Sequence, residues 1–160
     1  MRIKRFTEQG LTLIELVIVM AILSVLAASV LPMAEMTVKR TKEIELRRAL
    51  RDIRSALDAY KADYDRAVLE KKFIATLGDP GYPEELEVLL EGQEWGGLYP
   101  YKRRYLRRIP KDPFDTLDQG WGMRSYEDDA DASSFGGGYI YDVYSQSDAT
   151  ALDGTPYRSW

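Results

Sequence analysis

Residues 11–31 form an unbroken apolar run in which Glu15 is the one strongly polar side chain. As a helix this run is about 30 Å long, enough to cross the hydrocarbon core of a bilayer. A short leader precedes it, with Arg2, Lys4 and Arg5 against Glu8, a net charge of +2. The whole chain carries −4, so the remainder holds −6. A basic leader before an apolar run places the leader on the cytoplasmic side and the acidic domain across the membrane. A secretory signal peptide or plain signal anchor is the simpler reading, and Ala27, Ala28 and Ser29 imitate a cleavage site.

Glu15 argues against that simpler reading. An acidic residue at the centre of a membrane helix costs ~2.5–3.5 kcal/mol, and less near its end. A bare anchor has no reason to carry it, and residues 16–31 supply no cationic partner. Cutting after Gly10 would create one, a new α-amino group on Leu11, about one helical turn before Glu15. In an assembly, the amine of one subunit would pair with Glu15 of a neighbour, and the helix N-terminus favours a carboxylate there.

A chain of 160 residues allows one compact domain besides such an anchor. It contains no cysteine, hence no disulfide and no thiolate metal site. It contains no histidine, the commonest general base and zinc ligand, which argues against hydrolase chemistry. No enzymatic activity is expected. Net acidity makes nucleic acid an unexpected partner.

Pro32 closes the apolar run and would kink or loosen a helix there, at a cost of ~3 kcal/mol in water. Helical patterning resumes at once. Leu46, Leu50, Ile53, Leu57, Tyr60 and Tyr64 repeat at intervals of four and three, a seam on one helix face. The seam predicts a continuous helix over residues 11–64 whose second half lies on a small β-sheet, with a short coiled coil as the alternative.

Gly78-Asp79-Pro80-Gly81 is a turn. A short second helix is predicted from Pro83, at its first position, to Gly92, burying Leu86, Leu89 and Leu90. Lys102, Arg103, Arg104, Arg107, Arg108 and Lys111 form a basic cluster. It is either a solvated face or a contact with the acidic surface of a neighbouring subunit. Glu127, Asp128, Asp129 and Asp131 read as a solvated loop. Residues 139–144 alternate like a strand. The loop that follows is rich in oxygen donors: Asp148, Asp153 and the carbonyl of Gln146 either clasp a calcium ion or belong to an ordinary polar loop.

Gly10-Leu11-Thr12-Leu13-Ile14-Glu15 resembles the leader junction of type IV pilins and type II secretion pseudopilins. In that family a prepilin peptidase cuts after the glycine and methylates the new N-terminus, here Leu11. Glu15 falls at the family's fifth mature residue and Pro32 at its twenty-second. Trp95, Leu98, Tyr99 and Ile109-Pro110-Lys111-Asp112-Pro113-Phe114 resemble the major-pseudopilin family, general secretion pathway protein G, although Phe114 stands for the usual tryptophan. Tyr141-Asp142 and residues 145–148 resemble its calcium loop, which implies calcium at Gln146, Asp148 and Asp153.

The resemblance implies an α+β, type IV pilin-like fold. Its parts would be a cytoplasmic leader (1–10), a transmembrane and assembly helix (11–35) and a periplasmic globular domain (36–160). It implies a single-pass inner-membrane protein that polymerises into a helical periplasmic fibre and drives protein secretion. Its expected partners are copies of itself, minor pseudopilins, the prepilin peptidase and the inner-membrane secretion platform. Two other readings stand beside it: a type IV pilin for adhesion, motility or DNA uptake, and a signal-anchored, calcium-dependent periplasmic module.

Overall fold

The computed structural model describes residues 12–160 apart from Leu77, Ala130 and the side chains of Ser29 and Leu31. The fold is α+β. Helix α1 spans Leu13–Leu69, α2 spans Val88–Glu91, and strands β1 (Trp121–Ser125) and β2 (Ile140–Ser145) form one two-stranded sheet. A 3-10 turn, Tyr157–Ser159, follows. Contacts divide the chain into two units at Lys39/Arg40.

Thr12 starts α1. Its hydroxyl oxygen accepts the backbone N–H of Glu15 at 3.3 Å, and its carbonyl accepts that of Leu16. This is an N-cap, with Glu15 at the third helical position where a carboxylate meets the positive end of the helix. Pro32 lies inside α1. Lacking an N–H, it leaves the carbonyl of Ala28 without the usual helical donor. Ser24 in the apolar run and Thr37 beyond it return their hydroxyls to the carbonyls of Met20 and Met33, which satisfies those donors within the helix.

In the second unit the predicted seam is the core. Leu46, Leu50, Ile53, Leu57, Tyr60 and Tyr64 are all buried, together with Leu89, Trp95, Trp121, Ile140, Val143 and Tyr157. Each such aliphatic side chain contributes roughly 1.5–3 kcal/mol on burial. Trp95 is the hub of the aromatic part, with Tyr60, Phe73 and Tyr64 edge-on at 5.0, 5.6 and 6.0 Å. A coiled-coil seam would keep these residues for a second helix; here they serve the domain itself.

The sheet is antiparallel, in register from Trp121↔Ser145 to Ser125↔Ile140, with an irregularity at Arg124/Ser125. A two-stranded ribbon alone is marginal in water. This one is held by its apolar cover, since Ile140 and Val143 are fully buried. Gly122 faces Tyr144 across the ladder, and a Cβ there would overlap the tyrosine ring.

Two expectations need correction. The second helix does not begin at Pro83: α2 starts at Val88, and Pro83 is a buried residue of the preceding loop. Its carbonyl accepts the N–H of Ile140 at 2.7 Å, so the residue serves the sheet rather than a helix start. The strand expected over 139–144 runs Ile140–Ser145, because pairing with Trp121 carries it through Ser145.

Candidate functional site

Three surfaces carry the residues singled out by the sequence. The first is the N-terminal part of α1. Among its large described apolar side chains, from Leu13 to Met33, relative exposure lies between 48% and 81%. Its length and hydropathy suffice to cross a membrane. Glu15 sits in its first turn, exposed, with Thr12 as the cap. Gly10 and Leu11 lie outside the described residues. The sequence reading missed Thr12, although Thr-Leu-Ile-Glu has the spacing of a capping box.

The second surface is the C-terminal loop and its clasp on α1. Glu43 Oε1 accepts the N–H of Leu152 at 2.7 Å and the Tyr157 hydroxyl at 3.0 Å. Burial, followed by that bond to Glu43, raises the Tyr157 hydroxyl well above its ordinary range. Phe114 stacks on Tyr157 at 4.0 Å, which gives the Pro-Lys-Asp-Pro-Phe segment its structural role. Arg47 lies over the Trp160 ring at 4.0 Å. Arg54 donates to Asp142 and to the backbone oxygens of Val143 and Trp160.

The three residues expected to hold calcium lie on this loop. Asp148 Oδ1 accepts Arg158 at 2.7 Å. Asp153 Oδ1 accepts the N–H and hydroxyl of Thr155 at 2.9 and 2.6 Å, and its other oxygen lies 3.8 Å from Arg47. The bonds to Thr155 hold the Asp153 carboxyl below its usual value. The Gln146 amide donates to the carbonyls of Gln119 and Gly120. Among the described residues no three acidic side chains converge as a metal cage. The oxygen chemistry suits calcium, but this arrangement does not: each carboxylate already faces an arginine, and six to eight oxygens are wanted.

The third surface is basic, and its framework is a buried carboxylate that the sequence reading passed over. Asp63 on α1 accepts the hydroxyls of Tyr99 and Tyr105 at 2.8 and 2.7 Å and pairs with Arg103 Nε at 2.7 Å. Tyr105 also accepts the indole N–H of Trp95. The bond to Asp63 raises the Tyr99 hydroxyl; burial, then the same carboxylate, raises that of Tyr105. The backbone follows, with Gln93 bridged to Arg103 and the N–H groups of Tyr105 and Leu106 on the carbonyl of Leu89. Arg103 is thus structural, while Lys102, Arg104, Arg107 and Arg108 remain exposed.

Arg124 is a further buried cation that the sequence did not reveal. It bonds the carbonyls of Ala132 and Arg158, lies 3.5 Å from Asp142 and covers the Tyr144 ring at 4.1 Å. Its signal in the sequence is weak because β1, reading Trp-Gly-Met-Arg-Ser, lacks an apolar alternation.

A capped apolar helix that continues into the spine of a small α+β domain defines a type IV pilin-like protein. Residues 5–31 match the prokaryotic N-terminal methylation motif. The type II secretion system core protein G of Pseudomonas aeruginosa is 30% identical over 142 residues, covering 81% of this chain and 94% of that protein. The protein of the same name from Klebsiella michiganensis is 29% identical over 112 residues, covering 69% of this chain and 71% of that protein. The chain belongs to the type II secretion system core protein G family. No solved structure matches it significantly.

Proposed function

We propose that this chain is the structural subunit of a type II secretion pseudopilus. The prepilin peptidase cuts after Gly10 and methylates Leu11. The subunit waits in the inner membrane with its domain in the periplasm. It then joins a helical fibre by packing its apolar helix against those of its neighbours, alongside minor pseudopilins and on the inner-membrane platform. The protein works by assembly and catalyses no reaction.

The observation that carries this reading is the exposed apolar face of α1 from Leu13 to Met33, interrupted by one carboxylate. Lipid satisfies the apolar side chains but not Glu15. A bundle of identical helices satisfies both, because each copy brings an amine for its neighbour's carboxylate. Pro32 loosens the ladder where the helix leaves the apolar run, which eases the passage from bilayer to fibre.

The test is the mature protein's intact mass, with the Glu15→Ala variant beside it. Loss of residues 1–10 and gain of one methyl group is expected in both. The variant should insert and be cleaved, yet yield few filaments. Cleavage near Ala28, or filaments from the variant at the wild-type level, would overturn the reading.

A further inference from the structure

The basic segment does not lie flat. With α1 it forms a groove lined by Arg48, Arg103, Arg104, Arg107, Arg108 and Lys111, against Glu45 and Asp52. Arg103 is committed to Asp63, and Lys111 lies 3.7 Å from Asp118. Among the described residues Arg48, Arg104, Arg107 and Arg108 form no ion pair, and all four are exposed. Such a groove, with more exposed cations than Glu45 and Asp52 offset, attracts an anionic surface.

The same chain carries the complementary surface. Glu127, Asp129 and Asp131 are exposed and form no ion pair among the described residues. Asp128 pins their loop by accepting the N–H groups of Ser125 and Gly136 at 2.6 and 3.3 Å. Beside them Tyr126 and Tyr141 stand 66% and 46% exposed, edge to face at 4.9 Å. An acidic loop next to exposed aromatic rings suits arginines, which pair with carboxylates and stack on ring faces.

The two surfaces lie on opposite flanks of the domain. On the α1 helical wheel, the groove's helical lining, from Glu45 to Ala59, centres roughly 160° from Glu43, Arg47 and Arg54. Arg54 grips Asp142, and Arg124 beside Asp142 bonds the carbonyl of Ala132 next to the acidic knuckle, so the knuckle belongs to the second flank. A copy therefore cannot fill its own groove. Two different patches on opposite flanks make a head-to-tail contact, which repeats without closing.

We propose that the arginine groove of one copy receives the acidic knuckle of the next, formed by Glu127, Asp129 and Asp131. This deepens the pseudopilus reading and rests on it: the apolar helices supply cohesion, and this contact sets the side-by-side register of the domains.

The full-length chain, produced with its secretion apparatus, provides the test. Reversing the groove in R107E/R108E should lower filament yield about tenfold, as should reversing the knuckle in D129R/D131R. Combining the two should restore yield to within about twofold of wild type, which a merely misfolded variant cannot do. Because the natural chain has no cysteine, R107C/D129C should cross-link in filaments into a ladder extending past the dimer.

Filaments indifferent to either reversal, or a cross-link that stops at the dimer, would overturn the contact. A groove defect that the knuckle reversal does not repair would also overturn it, assigning the groove to another anionic partner such as a lipid surface. Absence of filaments from the wild-type chain would instead sink the pseudopilus reading itself.

Discussion

Arg54 and Asp142, 88 residues apart in sequence, meet through a 2.6 Å bond from Nε to Oδ1. The same guanidinium reaches the backbone oxygens of Val143 and Trp160. One helical side chain thus ties α1 to β2 and to the tail. Both partners are partly exposed, so solvent screening reduces the pair's strength. Arg54→Ala is expected to cost about 2 kcal/mol in unfolding free energy, since it removes bonds to a charge and to two carbonyls. Arg54→Lys should recover part of this. Denaturant titration of the chain in detergent measures both, and an unchanged midpoint for Arg54→Ala would refute the clasp.

Asp63 organises the opposite flank. Asp63→Ala leaves two tyrosine hydroxyls and Arg103 without their acceptor and should cost roughly 3 kcal/mol. The 99–106 segment should then lose amide protection before the sheet does. Hydrogen exchange reads this directly, and uniform protection would contradict it.

Alkaline pH should unfold the domain through its tyrosines. Burial, followed by the charge of Asp79, raises the Tyr60 hydroxyl from 10.0 to about 12. A group whose folded value is raised stabilises the protein fully below its unfolded value, about 10, and loses that contribution as pH climbs through the folded one. The thermal midpoint should therefore hold up to about pH 9 and fall between about pH 10 and 12. A midpoint flat across this window would show that the buried tyrosines ionise freely.

Gly96 is expected to tolerate no side chain. Its φ is +52°, and a Cβ would overlap the carbonyl oxygen of Lys72, a backbone atom that cannot swing aside. Gly96→Ala should cost about 2–4 kcal/mol. Gly97→Ala has a similarly positive φ but open space, and should cost less. Equal melting temperatures for the two variants would reject this packing argument.

Calcium at Gln146, Asp148 and Asp153 would compete with arginine. Removing the guanidinium in Arg158→Ala should free Asp148 and raise any affinity for calcium, by about tenfold if one competing bond is lost. Calorimetry on the chain in detergent compares the variant with wild type. No heat from either at millimolar calcium would exclude the site.

The helical seam was legible because six large side chains repeat with one period and all six are buried. The long helix was legible for the same reason, and Gly92 closes α2 as its position suggested, with a φ of +84°. What stayed hidden depends on contacts distant in sequence. Asp63 looks like one more charge on a helix rich in charges until Tyr99, Arg103 and Tyr105 arrive to surround it. Arg124 interrupts the pattern of β1 because its charge is met by Asp142, a partner that no local rule supplies. Pro83 carried a genuine helix-start signal, yet the bond from Ile140 to its carbonyl prevailed. For Gln146, Asp148 and Asp153 the donor types were readable, but not the arginines that face the two carboxylates.

The tail clasp also has a mechanical meaning. Glu43, Arg47 and Arg54 hold the loop and final residues of the chain against α1 at several points spaced along the helix. A pull transmitted along α1 loads these contacts in shear, together rather than one after another. They must yield as a group before the tail peels away.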